Sequence, residues 1–488
     1  MRDEVRFLTV MVALMLSAGS AASGASSGSD AGGAATGAAT PTPPATVSSP
    51  PASPDAAGAA TAAPKVAVTL FKNVRIFDGK AEKLTDPSNV MVRENIIERI
   101  SSETIPSPAD ADVTVIDGGG RTLMPGLIDA HWHSMLVRPT AAQMLSADLG
   151  YTTLVAAAEA TETLMRGFTT VRDLGGPAFA LRRAIDEGVL PGPRIFPSGA
   201  LLTVTGGHGD FRQLFEVPRI DGMPLARMEQ LGAAIVTDSP DEVARRAREQ
   251  LMQGASQIKL TASGGVASPH SPIDAITFTT AELQAAVKAA NDRGTYVAAH
   301  AYTPAAIQRA VLAGVQCIEH GQLMDEATAK LMAEKGTWLS IQPFPDEFAH
   351  IFPPGSDQSK KMLEVMAGTV RTYQLAKKYH LKTAFGTDIV FSPELAKRQG
   401  ALLVGLIRWY TPAEALGMAT GANGELLALS GERSPYRGKL GVVEEGALAD
   451  LLLVDGNPIA DIKLITDPAR NFVVIMKDGK IYKNTLPH

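Results

Sequence analysis

A repeated alternation of strand-like and helical segments is the feature that most restricts the fold of this chain. Short apolar runs, typical of buried strands, are separated by longer segments with helical spacing. The runs occupy residues 124–130, 168–173, 194–199, 256–261, 295–300, 315–319, 336–341 and 381–386. This pattern predicts an α/β fold with parallel strands, and eight repeats favour a (β/α)8 TIM barrel. The alternative is an open doubly wound sheet, but that fold usually has a glycine-rich turn after its first strand, where this chain has His131-Trp-His133.

Side chains that can bind metals stand at the ends of several predicted strands. His131 and His133 are one residue apart, so both imidazoles would lie on one face of a strand. The later runs carry Lys259, end in His300, or are followed directly or closely by His320 and Asp388. Because the carboxyl ends of barrel strands meet at one mouth, these six side chains are expected to converge. Each has an ordinary structural explanation when taken alone, but together they predict a metal site.

The two ends of the chain predict a second, smaller unit. Alternating apolar and polar residues within 66–116 and 449–479 are typical of short strands, several of them followed by Asp-Gly turns. Neither end holds enough strands for a stable core by itself. Residues 65–124 and 434–488 are therefore predicted to form one composite β-sandwich beside the barrel at 125–433.

The N-terminal segment predicts export. Arg2 and Arg6 precede an apolar run and then small residues up to Ala22, the order of regions in a secretory signal peptide at residues 1–22. The apolar run is shorter than the ~20 residues of a spanning helix, so no stable membrane insertion is expected; an uncleaved anchor is the alternative. Residues 23–64 are rich in Ala, Gly, Ser, Thr and Pro and predict a disordered linker. The expected location is periplasmic or secreted.

Composition excludes other kinds of chemistry. The formal net charge is -6 and no basic patch is present, so nucleic acid is not an expected partner. Cys317 is the only cysteine, which excludes an intrachain disulfide. It lies in a predicted buried strand, so nucleophilic cysteine catalysis is not expected. Arg172 and Asp173, at the end of the second run, are interpreted as structural.

The order of the six predicted metal-site residues resembles the amidohydrolase superfamily. Residues 125–131 and 446–458 are similar to the usual opening and closing phrases of that superfamily, and the resemblance extends over residues 66–484. The fourth-strand lysine, Gly206-Gly-His208-Gly and His300-Ala-Tyr302 resemble the branch related to imidazolonepropionase. That branch includes Xaa-Pro dipeptidases, basic-residue carboxypeptidases and ochratoxin-hydrolysing amidases.

This resemblance implies two divalent metal ions. It assigns His131 and His133 to one ion, and His300 and His320 to the other. It also implies an N6-carboxylysine at Lys259, since a buried neutral lysine can react with CO2 and the resulting anion can bridge the ions; the alternative is an ordinary ammonium that reaches the rim. Zinc is the expected metal, with manganese, cobalt or nickel as alternatives. Relatives imply a homo-oligomer, with an octamer among the expected states.

The resemblance also assigns catalytic roles. Asp388 would contact a metal-bridging hydroxide, take its proton as a general base, and return it to the leaving amine as an acid. His208 would donate a hydrogen bond to the developing oxyanion, unless it only caps the backbone. Tyr302 would bind a substrate carboxylate, unless it only packs at the rim. These roles predict a metal-dependent amidohydrolase that cleaves the amide bond to a C-terminal amino acid of a small molecule. Ochratoxin A hydrolysis, releasing phenylalanine, is the most specific version.

Two alternative functions use the same residues. A cyclic amidohydrolase or deaminase of the imidazolonepropionase type is disfavoured by Lys259, because mononuclear members generally lack a lysine on the fourth strand. A secreted metal-binding protein with a decayed catalytic set is disfavoured because all six predicted metal-site residues are present.

Overall fold

The chain has a mixed α/β fold. The computed structural model describes residues 65–219 and 222–486, and the predicted signal peptide and linker lie outside the described residues. Across the described ranges, no helix is both long enough and apolar enough to span a bilayer.

The strands are β1 (Val66–Ile76), β2 (Ser88–Arg93), β3 (Ile96–Ser101), β4 (Ala111–Asp117), β5 (Thr122–Pro125), β6 (Leu127–Trp132), β7 (Phe168–Asp173), β8 (Arg194–Pro197), β9 (Leu201–Thr203), β10 (Ala234–Val236), β11 (Ile258–Thr261), β12 (Val297–Ala301), β13 (Cys317–His320), β14 (Trp338–Ile341), β15 (Thr383–Phe385), β16 (Leu451–Val454), β17 (Phe472–Lys477) and β18 (Lys480–Asn484).

Strands from both ends of the described chain form one eight-stranded sheet. The strand order is β18-β17-β16-β5-β1-β2-β3, and β4 pairs with β1 in parallel. β16 joins the two halves by running antiparallel to β5, with Leu453 opposite Leu123. Both residues are buried in an apolar cluster with Val74 and Val474, so the N-terminal and C-terminal strands share one core.

The middle of the chain forms two parallel sheets. One has the order β6-β7-β8 and the other β10-β9-β11-β12-β13-β14-β15. Every one of the eight predicted strand segments contains a strand, and these strands are buried along their length, as expected for parallel sheets covered on both faces. The sequence does not predict β9 and β10, which have only three residues each and are too short to give a periodic pattern.

Hydrogen bonds connect the two parallel sheets on both sides. On one side, Ser256 N donates to Pro197 O at 2.7 Å, next to β11 and β8. On the other side, Asp388 N donates to His131 O at 2.8 Å, which links the segment after β15 to β6. The arrangement is consistent with the predicted eight-stranded barrel.

Helices follow most of the parallel strands. The longer ones are Leu149–Met165, Phe179–Asp186, Pro240–Met252, Thr280–Asn291, Pro304–Leu312, Glu326–Lys335 and Asp357–Lys378. Shorter helices are Ala141–Ser146, Arg227–Gln230, Pro393–Ala396, Gln399–Val404, Pro412–Gly417, Asn423–Ala428 and Pro468–Asn471. The side chains of Ser239, Thr279 and Asp325 cap three of the longer helices by accepting a bond from a first-turn backbone N–H. Helix residues such as Leu283 pack with strand residues such as Leu260 in the largest core cluster.

The buried amide of Asn423 joins the two parallel sheets, and its replacement would measure how much this connection contributes to stability. Asn423 Nδ2 donates to the carbonyls of Ile128 and Phe385 at 2.7 and 2.8 Å, and Asn423 Oδ1 accepts from Phe385 N at 3.1 Å. Asn423→Leu would leave these buried backbone groups without partners, so we expect a loss of about 2–4 kcal/mol in the free energy of unfolding. Urea denaturation measures it. Asn95→Leu, which removes a solvent-exposed bond to Asp478, is the control and should cost less than about 0.5 kcal/mol; equal losses would contradict the assignment.

Candidate metal centre

Two imidazoles at the end of β6 converge on one carboxylate. His131 lies in β6 and His133 directly follows it. The Nε2 atom of each lies 3.2 Å from Oδ1 of Asp388. Asp388 has a φ of 53°, in the left-handed region that few residues other than glycine adopt. This backbone conformation follows β15 and accompanies the close approach of the carboxylate to both rings.

Two further imidazoles, from β12 and β13, complete the group. The ring centroids of His300 and His320 are 4.5 Å apart, and the ring of His320 is 4.9 Å from that of His131. One potential ligand atom from each of His131, His320 and Asp388 lies within 4.8 Å of the others. His320 also has a left-handed φ, of 76°. Backbone strain of this kind is concentrated at functional sites, where the surrounding structure holds it in place.

Each of the four imidazoles has one ring nitrogen against a protein acceptor. The acceptors are Glu319 Oε2 at 2.9 Å from His131 Nδ1, Gly175 O at 3.3 Å from His133 Nδ1, Gly264 O at 2.9 Å from His300 Nε2, and Gln342 Oε1 at 2.7 Å from His320 Nδ1. An acceptor at one nitrogen keeps the proton there and leaves a lone pair on the other nitrogen. All four rings are therefore oriented as metal-ligating histidines commonly are.

Burial keeps the imidazoles of His131, His300 and His320 neutral. Loss of hydration lowers the pKa of His131 to about 4, that of His320 to about 3, and that of His300 well below its ordinary value. In Asp388, burial favours the neutral acid, but the nearby His131 and His133 outweigh this effect and hold the pKa of the carboxyl below its usual range. The group thus offers neutral nitrogens and an ionised oxygen, the protonation states that divalent metals require.

Lys259 on β11 is an unpartnered buried amine. Its side chain is buried, and within the described ranges its Nζ has no hydrogen-bond partner. Burial lowers the pKa of Lys259 to about 8, although Glu319 and Asp388 oppose this shift. A buried polar group without a partner is costly, so this amine is a position where an additional group would be stabilised. The four imidazoles, the carboxylate and this amine fit the predicted metal ions and bridging carbamate.

His208 lies against His300, on the loop after β9. The two rings stack with centroids 4.3 Å apart. Ser268 Oγ accepts a bond from Gly209 N at 2.8 Å and lies 3.1 Å from His208 Nδ1. The Ser268 hydroxyl can donate its own proton to Nδ1, and in that arrangement the proton of His208 is on Nε2. Burial lowers the pKa of His208 to about 4, so the ring is a neutral hydrogen-bond donor.

Tyr302 lies beside the same two histidines. Its ring meets His300 edge to face at 4.8 Å and is 5.2 Å from the ring of His320. Its backbone N donates to Ser263 Oγ at 3.1 Å. Burial and the negative charge of Asp388 raise the pKa of Tyr302, so the phenol stays protonated. The structure thus brings all eight predicted site residues into one region.

The partners that orient these side chains are not predicted from the sequence. Glu319 immediately precedes His320, and Gln342 immediately follows β14. Both are polar residues at a strand end, and this position is the sequence feature that could have identified them. Ser268 gives no signal of its own. Its loop is fixed by Lys361, whose Nζ donates to the carbonyls of Gly265, Ser268 and Ser271 at 3.3, 3.1 and 2.8 Å.

The fold and the site define a mixed α/β protein with a buried histidine-rich centre at the ends of parallel strands. The model of the amidohydrolase family matches residues 122–483. Ochratoxinase of Aspergillus niger is 34% identical over 330 residues, which cover 66% of this chain and 67% of the relative. A prolidase solved in complex with N-methylphosphonate-L-proline is 33% identical with a TM-score of 0.77, and a Xaa-Pro dipeptidase solved with bound methionine is 32% identical with a TM-score of 0.72. Both matches cover 86% of this chain and 100% of the other.

The chain belongs to the amidohydrolase family, in the branch that contains ochratoxinase and the Xaa-Pro dipeptidases. It is a hydrolase that acts on amide bonds. The resemblance read from the sequence is confirmed at this level.

The neutral state of the buried imidazoles can be measured in the metal-free protein. The pKa values of His131 and His208 are about 4, and that of His320 is about 3. We expect 15N spectra of the imidazoles to show these three rings neutral at pH 5.5 and protonated only as the pH falls through about 4 to 3. In urea the same rings should titrate near ~6.5, the ordinary value. Titration near 6 in the folded protein would contradict their burial.

Proposed function

We propose that this chain is a metal-dependent amidohydrolase that cleaves the amide bond to a C-terminal amino acid, as a carboxypeptidase or dipeptidase does. In this proposal the parallel strands close into a (β/α)8 barrel and the sheet from the chain ends is a composite β-sandwich. The convergence of His131 and His133 on Asp388, with Tyr302 beside His300, carries the proposal. The names of the relatives, ochratoxinase, prolidase and Xaa-Pro dipeptidase, support this substrate class.

The proposed cofactors are two divalent metal ions, with zinc expected. His131 and His133 would hold one ion and His300 and His320 the other, with Asp388 and an N6-carboxylysine at Lys259 as oxygen ligands. When bound, such ions lower the pKa of water and polarise the scissile carbonyl.

Asp388 is proposed to move the proton. Its side chain is 26% exposed, whereas that of His131 is 2% exposed, so among the residues around it Asp388 faces the side from which substrate and water arrive. Its carboxylate would accept the proton of the attacking water and deliver it to the departing amine.

His208 and Tyr302 are proposed to bind the substrate. His208 would donate its Nε2–H to the oxygen that becomes negative in the transition state. Tyr302, with its phenol protonated, would donate to the C-terminal carboxylate. Both rings pack on His300, which supports a shared role of these two donors beside the metal centre.

Location and assembly are part of the same proposal. Export to the periplasm or medium is supported by the signal-peptide pattern of residues 1–22. A homo-oligomer, with an octamer as one candidate, is proposed from the resemblance to the branch.

Release of a C-terminal amino acid tests the function directly. We expect hydrolysis of N-acyl-phenylalanine, Xaa-Pro dipeptides or ochratoxin A, with free amino acid detected by chromatography. Substrates with an amidated C-terminus should not be cleaved, since Tyr302 would have no carboxylate to bind. Asp388→Asn should abolish turnover and serves as the catalytic control. Turnover of cyclic amides alone, with no amino acid released, would instead favour the imidazolonepropionase type of function.

Lys259→Ala tests the proposed bridge. Removing this ligand should reduce the metal content below two ions per chain and lower kcat/KM by about 100-fold or more, since a contact to the reacting centre is worth ~3 kcal/mol. Acetate or propionate, which could replace the carbamate oxygens, should restore part of the activity. Lys361→Met, a change of the lysine that fixes the neighbouring loop, should keep both metal ions. Two ions and full activity in Lys259→Ala would rule out the bridge.

A further inference from the structure

A buried carboxylate, Glu319, lies between Arg172 and His131. Neither Glu319 nor Arg172 has an exposed side chain. Glu319 Oε1 accepts from Arg172 Nη2 at 2.7 Å and from Cys317 Sγ at 3.1 Å. The other oxygen, Oε2, has no aligned hydrogen bond among the described residues but lies 2.9 Å from Nδ1 of His131. The carboxylate is thus half satisfied by the arginine and open towards the imidazole.

This contact decides which nitrogen of His131 carries the proton. A lone pair on Nδ1 facing Oε2 at 2.9 Å would repel the carboxylate, whereas a proton on Nδ1 makes a charge-assisted contact. The competing donor at Nδ1 is the Gln342 amide, at 3.5 Å, which is too long to outweigh a carboxylate. Nε2 faces the longer of the two carboxylate contacts, 3.2 Å from Asp388 Oδ1, and a metal ion held between Nε2 and this carboxylate would take the lone pair there.

Arg172 fixes both the carboxylate and the main chain that carries His131. Its Nε donates to Ala130 O at 2.6 Å, the residue immediately before His131. Its Nη1 donates to the hydroxyl of Tyr296 at 3.1 Å. One guanidinium thus holds Glu319 and the end of β6 in a fixed relation.

We propose that Glu319 and Arg172 are a positioning pair that sets the tautomer and the donor strength of His131 as a metal ligand. The inference rests on the proposed metal-binding role of His131 and extends it to two residues that do not touch the metal. Apart from the contacts of Nε2 with Asp388, only His131 of the four imidazoles has a carboxylate as its acceptor; His133 and His300 face carbonyls and His320 faces an amide. A negative acceptor makes an imidazole a stronger donor, so the ion held by His131 is expected to bind more tightly because of Glu319.

Metal affinity separates this role from a merely structural one. The variants are Glu319→Gln, which removes the charge, and the double variant Glu319→Leu with Arg172→Met, which removes the whole pair. A protein in which apolar residues replace a buried ion pair often folds as well as the original. The double variant can therefore be measured even if Glu319→Gln is unstable. The matched control is Asp450→Asn, which breaks another buried ion pair, with Arg194 at 2.8 Å, in contact with neither His131 nor Asp388.

We expect both Glu319 variants to bind one of two Co²⁺ ions on the order of 10- to 100-fold more weakly, measured by chelator competition, with a changed visible spectrum. Asp450→Asn should lower the unfolding temperature of the metal-free protein but leave both Co²⁺ affinities within about twofold of wild type. Wild-type affinities and spectrum in the double variant would overturn the inference, and so would failure of the double variant to fold while Asp450→Asn folds. Absence of metal binding by the wild-type protein would instead refute the proposed function.

Discussion

A single buried carboxylate, Asp129, connects the beginning and the end of the parallel strands. It accepts bonds from the backbone N of His131 and of Thr387, both at 3.1 Å, and from Thr387 Oγ1 at 2.6 Å and Gln399 Nε2 at 2.9 Å. Burial raises the pKa of Asp129 to about 6, and these donors oppose that shift by favouring the charged form. Because His131 and the neighbour of Asp388 bind the same carboxylate, the distance between the two potential ligands is fixed by one side chain. The left-handed conformation of Asp388 follows directly after this anchor, which helps to hold it.

The centre that depends on this anchor is buried, and each of its polar groups is stabilised differently. Neutral acceptors are sufficient for three of the imidazoles, because an imidazole that keeps one proton carries no charge to balance. Glu319 is different, since an ionised carboxylate in the interior needs a cation, and Arg172 supplies it at 2.7 Å. Lys259 is the remaining group without a partner among the described residues. The two halves of the site are therefore electrostatically unequal: the His131 side has a buried ion pair behind it, and the His300 side has only backbone carbonyl and amide groups.

The sequence predicts the strands and the potential ligands well because both are local features. A fully buried parallel strand is a continuous apolar run, and its end is where a polar residue first stands out, as at His300 and Asp388. The partners are harder to predict, because Gly175 and Gly264 contribute only a carbonyl, whose position depends on the loop conformation. Arg172, interpreted as structural from the sequence, contacts Glu319 and Ala130 across a distance that no sequence spacing indicates. β9 and β10 are not predicted, because strands of three residues are too short to show a hydrophobic periodicity.

The same division between strands and loops separates the side chains of the centre from the surface around Tyr302. The imidazoles and Lys259 stand on or beside strands, whereas Tyr302 packs with apolar residues that come largely from loops. Those residues include Val266, Ile273, Phe344 and Phe348. Close packing restricts which residues this part of the site can contain. A Cβ on Gly265 would lie 2.1 Å from the ring of His208, so the loop can approach His208 only because it has glycine there. Relatives with similar folds carry names as different as ochratoxinase and prolidase. Loops can change the shape around Tyr302 without moving the strand ends, so one metal centre can serve different amides.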